Sequence, residues 1–303
     1  MKENALEQFK NWFFGHKNSL DSTMKLYSVF VSGIGFFAIF LPFNEILANA
    51  IPQTLTRIVV VLISMALLGG IIYILVRLYD TFCRKEKVLV KTKTNHVFKL
   101  QYGDLLAILK DKSLGSRSIV VDFNDCFDTI VDNKLVSDET MHGKVLKALY
   151  KDGFKHEQID ELIKENLDSR QIKPCKTIKE ANKKYGNRNE YPPGTIADVY
   201  LEKYNVTLFL VGMSHFDKDF KVEPNEEAFH NNVFSIINHI NSFSQGKPVY
   251  MPVIGTGLTR LNKSSSQSVR YLKAVVDTFQ DLLPCDLTMV IYDKSRDVDI
   301  SDF

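Results

Sequence analysis

The sequence predicts a three-layer α/β domain with a mostly buried sheet, preceded by a two-helix transmembrane hairpin. Two observations carry this. First, the runs LYSVFVSGIGFFAIFLPFN and IVVVLISMALLGGIIYILV each hold 19 residues without a charge. Second, from about residue 85 onward, strand-like apolar runs alternate with stretches of helical periodicity, the pattern of helices layered on a sheet.

The two uncharged runs, residues 26–44 and 58–76, match the ~30 Å hydrocarbon core at 1.5 Å per helical residue. Asn44, Pro52 and Gln53 lie in the short connection, and Pro42 can end the first span. A helical hairpin satisfies its backbone internally, as lipid requires. Orientation follows from basic residues: Lys2, Lys10, Lys17 and Lys25 precede the hairpin, Arg77, Arg84, Lys85 and Lys87 follow it, and the turn offers only Arg57. Both ends are therefore expected in the cytoplasm. Residues 1–25 place Leu6, Phe9 and Phe13 at helical spacing beside Trp12, as an amphipathic helix lying on the membrane would. A cleaved signal peptide fits poorly, because 25 residues precede an apolar run too long for such a segment. Ser28 with Ser32, and Ala66 with Gly70, are small residues at helical spacing that allow helices to approach closely.

The rest of the composition narrows the function. A net charge of +2 gives no support for nucleic-acid binding. Cys83, Cys126, Cys175 and Cys285 lie far apart with no ligand-type pairing, so neither a disulfide framework nor a metal site is expected. No nucleophile and base pair suggests catalysis.

In the domain spanning residues 85–303, the strand-like runs are KVLVKT, HVFKL, SIVVDF, VTLFLVGM, KPVYMPVIG and DLTMVIYD. Phe229, Val233, Ile236, Ile237 and Ile240 repeat at helical spacing, as do Val269, Leu272, Val275, Val276 and Phe279. Residues 187–194, rich in Asn and Pro, read as a loop, and the acidic end 293–302 as a frayed tail. Open α/β sheets bind ligands beyond the carboxyl ends of their strands, so the residues at each strand's end matter most. Gly255, Thr256 and Gly257 come directly after such a strand, where glycines let backbone N–H groups approach an anion. A plain tight turn fits the same residues. Asp104 can serve as an ordinary helix N-cap, and His142 as an exposed helix-start residue.

Three motifs stand in order: Gly103-Asp104-Leu105 after HVFKL, Asn124 after SIVVDF, and the loop Pro252 to Gly257. With these the chain resembles the macro-domain family, an ADP-ribose-binding module with a mixed sheet between helices, over roughly residues 87–295. The resemblance implies that Asp104 accepts a hydrogen bond from the adenine amino group. It also implies that Gly255, Thr256, Gly257 and Leu258 wrap the distal ribose and diphosphate, that Asn124 sits by that ribose, and that Gly143 opens a helix toward the diphosphate. The chain departs from the family in lacking a glycine run before that helix. There it carries the acidic insertion NDCFDTIVDNKLVSDET, and Arg260 and Leu261 come after the Gly-Thr-Gly loop.

A membrane hairpin joined to such a domain resembles the membrane effector of a bacterial Thoeris anti-phage system. That resemblance implies a non-enzymatic sensor of an ADP-ribose derivative, an amino-acid conjugate such as histidine or an imidazole conjugate, made by a TIR-domain partner that consumes NAD. Sensing would drive homo-oligomerisation, membrane disruption and abortive infection. A membrane-tethered ADP-ribosyl hydrolase and a non-catalytic scaffold are the alternatives.

Overall fold

The computed structural model describes residues 17–38, 54–215, 226–255, 264–292 and 298–303. The chain divides into two compact units, one of residues 1–87 with Asp299–Phe303, the other Val88–Val298.

The first unit is built on α1 (Lys17–Ala38) and α2 (Thr54–Phe82). Within α2 the stretch Val59–Asp80 is long and apolar enough to cross a membrane, and only 6% of it is buried. A core helix of a soluble protein would hide those side chains, whereas here Leu62, Leu67 and Leu75 stand about 60% exposed (61%, 63% and 60%). Hydroxyls along the helices bond back to their own backbone, Ser64 to the Val60 carbonyl at 2.8 Å and Ser28 to that of Lys25 at 2.7 Å. The expected first span begins inside α1, but residues 39–44 and the connecting turn lie outside the described residues, as does the amphipathic segment. The small-residue pairs lie away from the contact within the helix pair. Ser28, Ser32, Ala66 and Gly70 all face outward, and the glycine at the α1–α2 contact is Gly69, against the Tyr27 ring.

Of the acidic end, residues 293–297 lie outside the described residues, and the remainder differs from a frayed tail. Ile300–Asp302 form a 3₁₀ turn capped by Asp299, with Ile300 and Ser301 fully buried. Arg77 of α2, itself fully buried, donates from Nη1 to Ser301 Oγ at 3.2 Å, so a charged partner rather than sequence polarity decides the fate of this segment.

The chain passes into the second unit along β1 (Glu86–Lys91), and β2 (Val97–Gly103), α3 (Leu105–Lys110), β3 (Arg117–Asn124), α4 (Met141–Lys151) and α5 (His156–Ser169) come first there. The short pair β4 (Lys176–Thr177) and β5 (Asn189–Glu190) is next, then β6 (Ile196–Leu201), β7 (Val206–Ser214), α6 (Glu226–Phe243), β8 (Val249–Pro252), α7 (Ser265–Thr278) and β9 (Leu287–Tyr292). The main sheet has seven strands in the order β1-β2-β9-β8-β3-β7-β6. From β2 to β7 neighbouring strands run parallel, and β6 closes the edge antiparallel to β7, giving a mixed sheet.

Alternation along the strands sorts the core into two layers. Ile119, Val121 and Phe123 of β3 join Leu208 and Leu210 of β7 against Leu105 and Leu109 of α3, Val145 and Leu149 of α4, and Ile159, Ile163 and Leu167 of α5. Val120, Phe209 and Val211, of the opposite parity, are buried together with Phe229, Val233 and Ile237 of α6. Arg117, at the start of β3, spends its guanidinium on the carbonyls of Ile108 and Leu109, satisfying the last turn of α3.

Candidate functional site at the sheet edge

The parallel strands deliver their carboxyl ends to one edge. β2 ends at Gly103, whose register partner is Tyr292 at the end of β9, and β8 ends at Pro252, paired with Val290. β3 ends at Asn124 opposite Ser214, with a bulge between Phe123 and Asn124 that re-aims the chain as it leaves the strand. The sequence motifs thus share one edge, which is where a doubly covered parallel sheet accepts ligands.

Asp104, half-buried, caps α3: its Oδ1 accepts the Leu106 N–H at 2.9 Å. Its Oδ2 has no hydrogen bond among the described residues and remains an acceptor at the edge. Gly255 turns the chain after β8 at φ +79°, a left-handed conformation suited to glycine, and a Cβ there would lie 2.4 Å from the Phe229 ring. Thr256, Gly257 and Leu258 lie outside the described residues, as do Arg260 and Leu261.

Asn124 and Gly143 are more occupied than the motif suggests. Asn124 is buried, donating from Nδ2 to Asp128 Oδ2 at 2.9 Å and accepting the Asp128 N–H at 3.0 Å. The N–H of Gly143 goes to the Thr140 hydroxyl, and a Cβ on this glycine would meet the Ser137 carbonyl at 2.1 Å. Close packing therefore requires a glycine there. His142 is not the exposed helix-start residue expected. It is buried, its ring centroid 3.6 Å from that of Phe123, and its Nε2 bonds the Asp128 carbonyl at 2.9 Å. Burial pushes its pKa down to about 3, which leaves the ring neutral and structural.

Asp128 organises the acidic insertion. Its carboxylate accepts from Asn124, from Lys183 Nζ at 2.7 Å and from the Asn187 N–H at 2.8 Å, and all of this is buried or nearly so. Asn187 also bonds Asp160, which Thr129 holds from the other side. Beside this network opens a cavity of about 380 Å³, lined among others by Cys126, Asp160, Asn187 and Tyr191. Burial pushes the Cys126 thiol up to about 12, so it is no nucleophile at neutral pH.

One grouping was missed by the sequence because its members come from three separate segments. Asp125, Glu190 and His215 bring three donor atoms within 4.8 Å of one another, the closest being His215 Nδ1 to Asp125 Oδ2 at 2.6 Å. Burial raises the Asp125 pKa, the His215 contact opposes this, and Glu190 adds to it. The hydrogen bond between His215 and Asp125 holds the group together.

A mixed sheet covered by helices, with Asp104 and Gly255 on its carboxyl edge, defines a macro-domain-type α/β module. Residues 98–292 match the family described as Thoeris protein ThsA, Macro domain, and the chain belongs to that family. It is 28% identical over 164 residues to the Thoeris protein ThsA of Bacillus amyloliquefaciens (strain Y2), an overlap of 53% of this chain and 50% of that protein. The chain thus spans about half the length of the curated relative it matches. Among solved structures, an Oceanobacillus iheyensis macrodomain with MES bound aligns over 71% of this chain and 94% of its own, at 16% identity and a TM-score of 0.39.

Proposed function

We propose that the chain is the membrane effector of a Thoeris anti-phage system, whose macro domain senses an ADP-ribose-derived signal made by a TIR-domain enzyme. The adenine amino group donates to the free oxygen of Asp104. The diphosphate and distal ribose settle against the backbone from Gly255 through Leu258, with Asn124 and Gly143 forming the adjoining wall. Residues 26–76 cross the inner membrane as a hairpin, both termini lie in the cytoplasm, and residues 85–303 carry the sensor. Signal binding favours an assembled state, in which hairpins gather at high local concentration and the membrane fails. Such a switch works only if the nucleotide binds the assembled state more tightly than the resting one.

The observation that carries this reading is the presence, in one chain, of a macro-domain edge bearing Asp104 and Gly255 and a helix, Val59–Asp80, apolar and 6% buried. The test is calorimetry of the detergent-solubilised chain with ADP-ribose and its imidazole and histidine conjugates, paired with dye release from liposomes. Saturable heat with nucleotide-dependent release is expected. Turnover of the nucleotide would identify a hydrolase instead, and the absence of heat would identify a scaffold.

A further inference from the structure

We propose that the C-terminal residues Asp299–Phe303 are a strap that holds the base of the helix pair in its resting arrangement and lets go when nucleotide occupies the sheet edge, an inference that rests on the effector reading. The strap is built rather than loose. Asp299 Oδ1 accepts both the Ser301 N–H at 2.9 Å and the Ser301 hydroxyl at 2.6 Å, which fixes the turn Ile300–Asp302. Ser301 Oγ in turn accepts from Arg77 Nη1 of α2, and the Asp299 carboxylate lies 4.0 Å from Arg77 Nη2. The same turn packs on α1, so it touches both helices of the pair. Arg77, Ile300 and Ser301 are completely buried. Removing a partner from a buried charge is far costlier than forming the pair is favourable, so the turn cannot leave α2 without re-housing Arg77.

The other end of the strap leads to the candidate site. The Val298 carbonyl accepts from Tyr102 Oη at 2.9 Å, and Val298 is fully buried. Tyr102 lies on β2 two residues before Asp104 and pairs in register with Ile291 of β9, the strand from which the C-terminal segment departs. Val298 and Asp299 are consecutive. One peptide bond therefore joins a residue held by the nucleotide-proximal strand to a residue that holds the helix base, and a shift of β2 on binding pulls directly on the strap.

The experiment uses the full chain in dye-loaded liposomes without nucleotide. Deletion of residues 299–303, Arg77→Met and the milder Ser301→Ala should each raise resting leakage, the first two by about tenfold, as ~1.4 kcal/mol of lost restraint would give. Membrane insertion, measured by resistance to alkaline extraction, should stay as in the parent, and ADP-ribose should bind at least as tightly, since binding no longer has to release the strap. A second measurement places Arg77→Cys with Ser301→Cys in a chain whose exposed Cys83 and Cys175 are replaced by Ser. A short bis-maleimide, spanning the gap that the arginine side chain fills, should cross-link the pair and suppress leakage, and ADP-ribose added first should lower the cross-linking yield. Inserted variants that leak no more than the parent, together with a yield indifferent to ADP-ribose, would overturn the strap. A parent that shows no ADP-ribose heat overturns the sensing reading. A parent that binds but never leaks overturns the membrane-damage reading, and the cross-linking yield then decides the strap by itself.

Discussion

Lys183 Nζ lies 2.7 Å from Asp128 Oδ2, with the two side chains 7% and 1% exposed, and this buried ion pair fastens the segment 183–187 to the chain that leaves β3. Asp128 is also bonded by the Asn124 amide, so the pair sets how the end of β3 is presented at the sheet edge. Gly186, at φ +82°, is the turn that makes this possible, since a Cβ there would reach Asp128 Oδ1 at 2.4 Å.

Lys183→Met should therefore destabilise the chain by about 3–5 kcal/mol, because it leaves the Asp128 carboxylate buried with one cation fewer. Adding Asp128→Asn should recover a large part of that loss, since the charge is then gone. Urea denaturation of the two single variants and the double variant measures this. A double variant as unstable as the sum of the singles would show that the two side chains do not act as one unit.

The buried His142 gives stability a pH dependence of known sign. Its folded pKa, about 3, lies below the ordinary 6.5, so between those values the unfolded chain binds more protons and stability falls as pH drops. Asp122, half-buried on β3 with its pKa pushed up to about 6 by burial, acts oppositely and loses its contribution as pH rises from 3.8 to 6. The two slopes offset each other between about pH 4 and 6. Asp122→Asn should unmask the histidine, giving stability that rises by ~1.4 kcal/mol per pH unit over that window. His142→Leu should unmask the aspartate, with the opposite slope. Denaturation midpoints at pH 4.5 and 6 separate them, and identical slopes in all three chains would refute the assignment.

Much of the fold was legible because its parallel strands are buried on both faces and read as unbroken apolar runs, as SIVVDF and VTLFLVGM do. β6 was missed because Asp198 and Tyr200 interrupt it, as befits an edge strand with a half-exposed face. α5 was missed because only Ile159, Ile163 and Leu167 of a charge-rich stretch face the core. At the candidate site, the strand-end placement of Asp104 and Gly255 was legible from the motifs. The Asp128–Lys183 pair and the Asp125–His215 contact were not, because the partners are 55 and 90 residues apart and nothing local announces them.

Gly255→Ala should abolish ADP-ribose binding. The left-handed φ alone costs about 1–2 kcal/mol for an L side chain, and the Phe229 ring must move as well. Gly257→Trp should likewise remove binding while membrane insertion persists. Calorimetry and alkaline extraction check both. Retained toxicity of the tryptophan variant in cells making the signal would contradict the glycine-loop reading.

The helix pair offers the sharpest separation of sensing from damage. Gly69 sits against Tyr27 at the contact between α1 and α2, whereas Ala66 and Gly70 point away from it, and a Cβ on Gly70 would meet nothing within 4 Å. Leucine at both outward positions therefore leaves the pair itself intact and blocks only a close approach by another copy's helices. Ala66→Leu with Gly70→Leu should keep ADP-ribose affinity and membrane insertion unchanged but eliminate nucleotide-dependent dye release. Gly69→Leu, by contrast, should disturb the pair and alter resting leakage. Persistent release from the double-leucine chain would mean that membranes fail by some route other than packing on this outward face, since that face would no longer admit a neighbouring backbone.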